Sequence, residues 1–314
     1  FRRVLFRSKK LSLNGFKRQR QTDASLIRIY FRYICVQNRS MYTEYQPSHL
    51  LVPYIDSYWE FKGNPDYGMR IHILPDGCTD FIFTLGEVAN AVEEGSLIMQ
   101  PYRSYFVGPM TKYSELVTYT ESIHMFGVRF LPCGLSCFTN LPLHEFVNSR
   151  VSTNEMKAVF DDTFIEKLGE QKHVTDRIRV VEEYLLAYLA RHYQPADSHV
   201  AMAVNMINHS KGKRSVRSLM DDVCLCQRHF ERKFKHYTGF TPKEYSRIVK
   251  FKNAVELLRT TTSANLLTTA VDAGYYDLAH FSKEIKSMSG NTPASFLSLT
   301  VPEETTLTYI EPQR

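Results

Sequence analysis

Gln227, Arg228, Glu231, Arg232 and Lys235 place an amide, two guanidiniums, a carboxylate and an ammonium within nine residues. At about 100° of turn per residue they share one arc of a helix, opposite Phe230, Phe234 and Tyr237. Arginine pairs bidentately with guanine in a DNA major groove, glutamate accepts from cytosine, and lysine meets phosphates. This arc assigns base reading to Arg228, Glu231 and Arg232, supported by Gln227, and phosphate contact to Lys235. The pattern returns 51 residues on, where Phe230, Phe234, Gly239 and Pro242 fall on Phe281, Ile285, Gly290 and Pro293. Arg232 and Lys235 fall on Lys283 and Lys286 under the same shift. The second arc offers Leu278, Ala279, Ser282, Lys283 and Lys286, with His280 at its margin. Those groups supply methyl contact, a hydroxyl and point charges, which position a helix more than they read bases. An ordinary helical bundle with a solvated charged face explains one such arc. Two copies in register with matching cations favour the DNA reading.

Chemistry is also conceivable nearer the N-terminus. His72, Cys78, Asp80, His124 and Arg129 are the types that bind metals or move protons. A cupin metal site needs two histidines one residue apart with a glutamate, and the chain has no H-x-H. None of the six cysteines forms a zinc-type C-x-x-C pair, so reduced thiols are expected. The sequence therefore assigns no catalytic residue, metal or cofactor. Trp59, His72, Asp80, His124 and Arg129 remain as candidates for lining a ligand pocket, with ordinary core and rim roles as the alternative. Cys133 and Cys137, four apart, are a thiol sensor or plain buried thiols, and Cys224 and Cys226 flank a helix turn where oxidation would block DNA binding.

These groups need elements to hold them. Val216, Leu219, Met220 and Val223 recur at helical spacing, and a second helix runs from about 227 to 237 after a short break. Gly239 ends it in a left-handed residue, and Pro242 opens a helix over 243–260. The second copy has helices over 267–273 and 278–288. Two short helices joined by a tight turn, the second with an exposed basic face, read as a helix-turn-helix. Period-two patterning predicts strands at 54–61, 69–74, 79–85, 104–107, 114–119 and 124–130. The turn at Pro75–Cys78 predicts a hairpin over 69–85. Residues 132–193 turn helical, and 175–192 carry Ile178, Val181, Leu185 and Leu189 on one side, for packing within the chain or between two chains.

The stretches "CQRHFERKFKHYTGFTPKEYSRIVKFKNAVELL" and "AVDAGYYDLAHFSKEIKSMSGNTPASFL" resemble the DNA-binding domain of AraC/XylS-family transcription regulators. Gly274, Tyr275, Asp277, Phe281, Lys283, Ile285, Lys286, Gly290, Thr292 and Pro293 satisfy the family's second-copy pattern. Cys226 stands where the family usually has a capping serine, and Leu278 and Ala279 stand where polar base readers are common. "YQPSHLLVPYIDSYWEF", "LPDGCTDFIF" and "FGVRFLPCGL" resemble the sensing domain of one subgroup, with Cys133 at a frequent glycine. The resemblance implies a cupin-like barrel for the first domain, with an unspecified effector. It also implies promoter DNA and RNA polymerase as partners, and frequent pairing of two chains.

Charge divides the same way: +10 over residues 1–40, −9 over 41–198, +7 over 199–300 and −2 over 301–314. An acidic module precedes a basic one, as expected where only the second meets phosphate. The fold expected is α+β: a cupin-like β-barrel with flanking helices over 41–193, a linker at 194–198, and an all-α double helix-turn-helix over 199–300. Residues 1–40 read as a non-native or disordered basic segment, with a basic arm or targeting peptide as alternative and the native start expected at Met41. Residues 301–314 read as a disordered tail. No apolar run is long enough to cross a membrane, and the expected setting is the cytoplasm. The function expected is a ligand-responsive, DNA-binding transcription regulator. An enzyme bearing this module, a cupin-type catalyst or DNA alkyl-repair protein, is the alternative. Alkyl repair of that kind wants a four-cysteine zinc site, and residues 41–198 hold only Cys78, Cys133 and Cys137.

Overall fold

The computed structural model describes residues 41–156, 159–160, 162–192, 194–260, 266–298 and 308–310. The readings of residues 1–40 lie outside these.

The strands are β1 (Tyr42–Tyr45), β2 (Ile55–Gly63), β3 (Met69–Ile73), β4 (Thr79–Thr84), β5 (Asn90–Ala91), β6 (Ser104–Val107), β7 (Ser114–Thr118), β8 (Ile123–Phe130), β9 (Arg150–Ser152) and β10 (Thr308–Ile310). They pair antiparallel into two open sheets, ordered β1-β2-β8-β4-β6-β9 and β10-β3-β7-β5. The ladder does not close into the expected barrel. The hairpin expected over 69–85 is corrected too, because β3 and β4 belong to different sheets. The tight turn does form, with Gly77 at φ +87° and the Asp76 carboxylate accepting from Cys78 N at 2.8 Å. It carries the chain from one sheet to the other. Thr308–Ile310, assigned to a disordered tail, instead pair with β3. Arg150–Ser152, in a stretch expected to be helical, pair antiparallel with β6 instead.

Strand alternation builds three layers. Along β8, Met125, Gly127 and Arg129 face the second sheet, while Phe126, Val128 and Phe130 face helices. On β4 the same rule sends Ile82 one way and Phe81 and Phe83 the other. The helix side is an aromatic cluster with Phe160 and Phe164, whose ring centroids lie 4.8 Å apart. Each fully buried phenylalanine there contributes roughly 1.5–3 kcal/mol. The covering helices are α1 (Asp162–Gly169) and α2 (Val174–His192). Val181 and Leu185 of α2 are fully buried, and Ile178 and Leu189 pack on the same cluster, so that stripe serves the chain's own core.

The C-terminal half is helical: α3 (Ser198–His209), α4 (Val216–Val223), α5 (Gln227–Thr238), α6 (Pro242–Thr260), α7 (Leu266–Asp272), α8 (Leu278–Ser289) and α9 (Pro293–Ser298). Its core gathers Leu219, Phe230, Phe234, Phe281 and Ile285, matching apolar positions of both sequence copies, with Phe251 of the helix between them. Leu74 and Cys133 of the N-terminal half join that core. Asp197 caps α3, accepting from His199 N and Val200 N at 3.1 Å each, and holds Lys233 Nζ at 2.6 Å. No described helix is long and apolar enough to cross a membrane.

Candidate nucleic-acid interface and sensor cavity

The first unit is α4 and α5, the second α7 and α8. Ser215 caps α4, accepting from Ser218 N at 3.2 Å, and Cys224 ends it in a left-handed conformation at φ 53°. Gly239 and Gly290 close α5 and α8 in the same way, at φ 82° and 77°. The N-caps differ. Asp277 accepts from His280 N at 2.7 Å, whereas the Cys226 thiol makes no cap hydrogen bond.

Burial of Phe230 and Phe234 turns the opposite arc of α5 outward. Gln227, Arg228, Arg232 and Lys235 are exposed. Glu231 is half-buried, and its carboxylate accepts from Gln227 Nε2 at 2.9 Å, so the pair is already ordered. Burial of Phe281 and Ile285 likewise exposes Leu278, Ala279, His280, Lys283 and Lys286, with Ser282 half-buried. The His280 ring stands edge-on to Tyr275 at 5.4 Å.

Pairing separates two kinds of cation. Lys233 is tied to Asp197, Arg247 to Glu284, and Lys250 donates to the Gly274 carbonyl at 3.2 Å. Arg228, Arg232, Lys235, Lys283 and Lys286 form no ion pair with any described residue. Cations left free on two outward helix faces suit a polyanionic partner. Tyr276, 91% exposed in the turn before α8, was missed by reading helix arcs alone, because it belongs to neither helix. Its signal was its place two residues after Gly274 in the second copy.

An open cavity lies between the two sheets, with about 620 Å³ of space once the open solvent at its mouth is counted. Tyr42, Trp59 and Phe61 form one wall, and Ile71, Ile73 and Leu116 the other. The cavity takes in three of the five predicted pocket residues, Trp59, Asp80 and Arg129. The Trp59 indole donates to Asp80 at 2.7 Å and lies over Gly127, where a Cβ would come within 1.9 Å of the ring. Arg129 reaches Asp80 at 3.2 Å, Glu44 at 3.3 Å and Asp76 at 3.5 Å. Burial penalises its charge, but the surrounding carboxylates outweigh that and hold its pKa well above the ordinary value. Burial pushes the Glu44 carboxyl up to about 7, against the opposing pull of Arg129 and a hydrogen bond from Tyr42.

His72 and His124 do not line the cavity. Each differs in strand parity from the cavity residues beside it, Ile71 and Ile73 on β3 and Arg129 on β8. His72 stacks on Tyr113 at 5.9 Å. His124 meets Glu60 at 2.9 Å on the helix side, where Arg177 of α2 also binds Glu60 at 3.0 Å. Tyr42 and Arg150 are cavity residues that the sequence reading missed. Strand pairing identifies Arg150, opposite Val107 on the same sheet face. Burial raises the Cys133 and Cys137 thiols, the opposite of a reactive cysteine. Among the described residues no group of three potential ligands is placed to hold a metal.

Residues 219–298 match the family model of a helix-turn-helix domain, and residues 43–152 that of a domain of unknown function (DUF6597). No curated protein matches the chain. Among solved structures, unsaturated fatty acid-bound ToxT from Vibrio cholerae is similar over 81% of this chain and 99% of its own, at 12% identity and TM-score 0.46. A second structure of ToxT from Vibrio cholerae is similar over 77% and 98%, at 10% identity and TM-score 0.46. A probable AraC family transcriptional regulator from Rhodopseudomonas palustris is similar over 34% and 100%, at 20% identity and TM-score 0.31.

Proposed function

We propose, from the premise that residues 219–298 are an AraC-type helix-turn-helix domain, that this chain is a transcription regulator whose N-terminal domain tunes its hold on promoter DNA through a bound effector. One observation carries the reading. Two tandem units present outward arcs whose cations have no partner within the described chain. On α5, Arg228 and Arg232 read guanines, the preset Gln227–Glu231 pair reads a neighbouring base pair, and Lys235 grips phosphate. On α8, Leu278 and Ala279 touch thymine methyls, while Ser282, Lys283 and Lys286 fix the helix on the backbone, with His280 at the edge. At 1.5 Å per residue the 19 residues of α6 span about 28 Å. That is near the ~34 Å between successive major-groove faces, so one chain engages two adjacent turns.

The effector sits in the cavity between the sheets, a cupin-like sandwich in this reading, with Trp59, Asp80 and Arg129 in its wall. The regulator works in the cytoplasm, catalyses no reaction and uses no cofactor. RNA polymerase and a second copy of the chain are its further partners, as the family resemblance implies. The test is retention of genomic duplex fragments by the full chain across a salt series. Sequence-selective retention that falls steeply with salt is expected. Failure to retain any duplex at low salt overturns the reading.

A further inference from the structure

The cavity holds two arginines in opposite circumstances. Arg129 is enclosed by Glu44, Asp76 and Asp80 and has no need of a ligand. Arg150 enters from β9, opposite Val107, and lines the cavity, its guanidinium making no ion pair or hydrogen bond to any described residue. Its Nε is shielded from solvent without a partner. Burial lowers its pKa, with no carboxylate offsetting the effect. An unpaired guanidinium in an apolar chamber is costly, and an anion that brings its own acceptors relieves that cost.

We infer that Arg150 anchors an anion site, and that the cavity takes a small, largely apolar organic monocarboxylate. Its charge meets Arg150, and its body lies along Trp59, Phe61, Ile71 and Leu116. The carboxylates around Arg129 disfavour a second negative group, so a monoanion fits better than a dianion. A neutral ligand leaves Arg150 unpaired, and an inorganic anion leaves the apolar walls uncovered.

This assignment rests on reading the N-terminal domain as an effector module, and one experiment separates the two. Trp59 is the chain's single tryptophan and stands in the cavity wall, so its fluorescence reports entry directly. The full chain is titrated with hexanoate and 4-phenylbutyrate, with their primary amides, and with chloride and inorganic phosphate. At least one carboxylate should bind tenfold or more tighter than its amide, while the inorganic ions leave the signal unchanged. Arg150→Gln should bring that carboxylate to the level of its amide without altering amide affinity, and Arg150→Lys should retain part of the difference. Without ligand, Arg150→Gln should melt no lower than the parent, whereas an arginine with a purely structural role would lower the Tm.

Equal binding of acid and amide, no response to either carboxylate, or an equal response to phosphate or chloride overturns the assignment. That comparison needs only the parent protein, so it holds if a variant fails to fold. DNA retention is measured alongside. Arg150-dependent carboxylate binding that leaves DNA retention unchanged keeps the anion site and removes the effector reading. Amides that bind and alter DNA retention keep the effector reading and remove the anion site.

Discussion

Arg232 and Lys235 lie three residues apart on α5, both exposed, yet they differ in what each can recognise. A guanidinium makes two directed hydrogen bonds to one guanine, whereas an ammonium meets any phosphate. Arg232→Ala should cost about 1–3 kcal/mol on the preferred site and relax preference at one base pair. Lys235→Ala should weaken all sequences alike and reduce the salt slope by about one. Binding to a panel of single-base variants at two salt concentrations checks both, and matching profiles for the two mutants would remove the assignment. In the cavity, Glu44 is raised from 4.5 to about 7 by burial, with Arg129, Tyr42, Asp56 and Asp80 acting on it. The folded chain therefore keeps a proton that the unfolded chain gives up near pH 4.5, and this contribution to stability is lost as pH rises through about 7. Glu44→Gln should flatten that slope, shrinking the difference between urea midpoints at pH 5 and pH 8. An unchanged difference would show that Glu44 is not the group responsible.

Two recognition helices built to one plan begin differently. Asp277 gives α8 a capping hydrogen bond of 2.7 Å, while α5 starts from Cys226, whose backbone is extended at φ −65° and ψ 147° but whose thiol makes no such bond. A hydroxyl there reaches the free amides that a thiol leaves unsatisfied. Cys226→Ser should stabilise the chain by about 0.5–1 kcal/mol in urea unfolding, and no gain would mean the α5 amides are already satisfied otherwise. The helix faces differ as well. The α5 face holds groups that pair with base edges, and the α8 face holds methyls, a hydroxyl and lysines. The preferred site should therefore be asymmetric, with one sharply specified half and a second, degenerate half about one helical turn away. Selection from random duplexes measures this, and equal information in both halves would transfer base reading to His280 or Tyr276.

Across the whole molecule, the crossing between the two sheets also touches the helical half. Gly77, at φ +87°, sits where a Cβ would come within 2.7 Å of the Tyr245 ring, and Lys252 Nζ of α6 donates to the Asp76 carbonyl at 3.2 Å. Asp76 also lies 3.5 Å from Arg129 in the cavity wall. One turn thus meets the cavity's charge cluster on one side and the helix between the two DNA-binding units on the other. Gly77→Ala should strain that turn and push the halves apart. Calorimetry should then show the Tm falling by several degrees and the endotherm broadening or splitting. A single, unshifted endotherm would show that the contact contributes little to cooperativity.

Periodicity and composition were enough to make both recognition arcs legible, because helix spacing alone decides which residues oppose Phe230, Phe234, Phe281 and Ile285. The same held for six of the strands, whose alternation of β-branched and aromatic residues is a local property. Parity along a strand also separates His124 from Arg129, a signal present in the sequence but not in the initial choice of pocket residues. The sheet partner of each strand was not legible. The Pro75–Cys78 turn has the same local chemistry whether it closes a hairpin or crosses between sheets, and only long-range packing selects the crossing. Arg150 entered the cavity by the same route, since a three-residue strand carries no readable period and its face is fixed by pairing with Val107. Sequence determined what each element presents, and tertiary structure decided which buried charges met partners among the described residues, as Arg129 does and Arg150 does not.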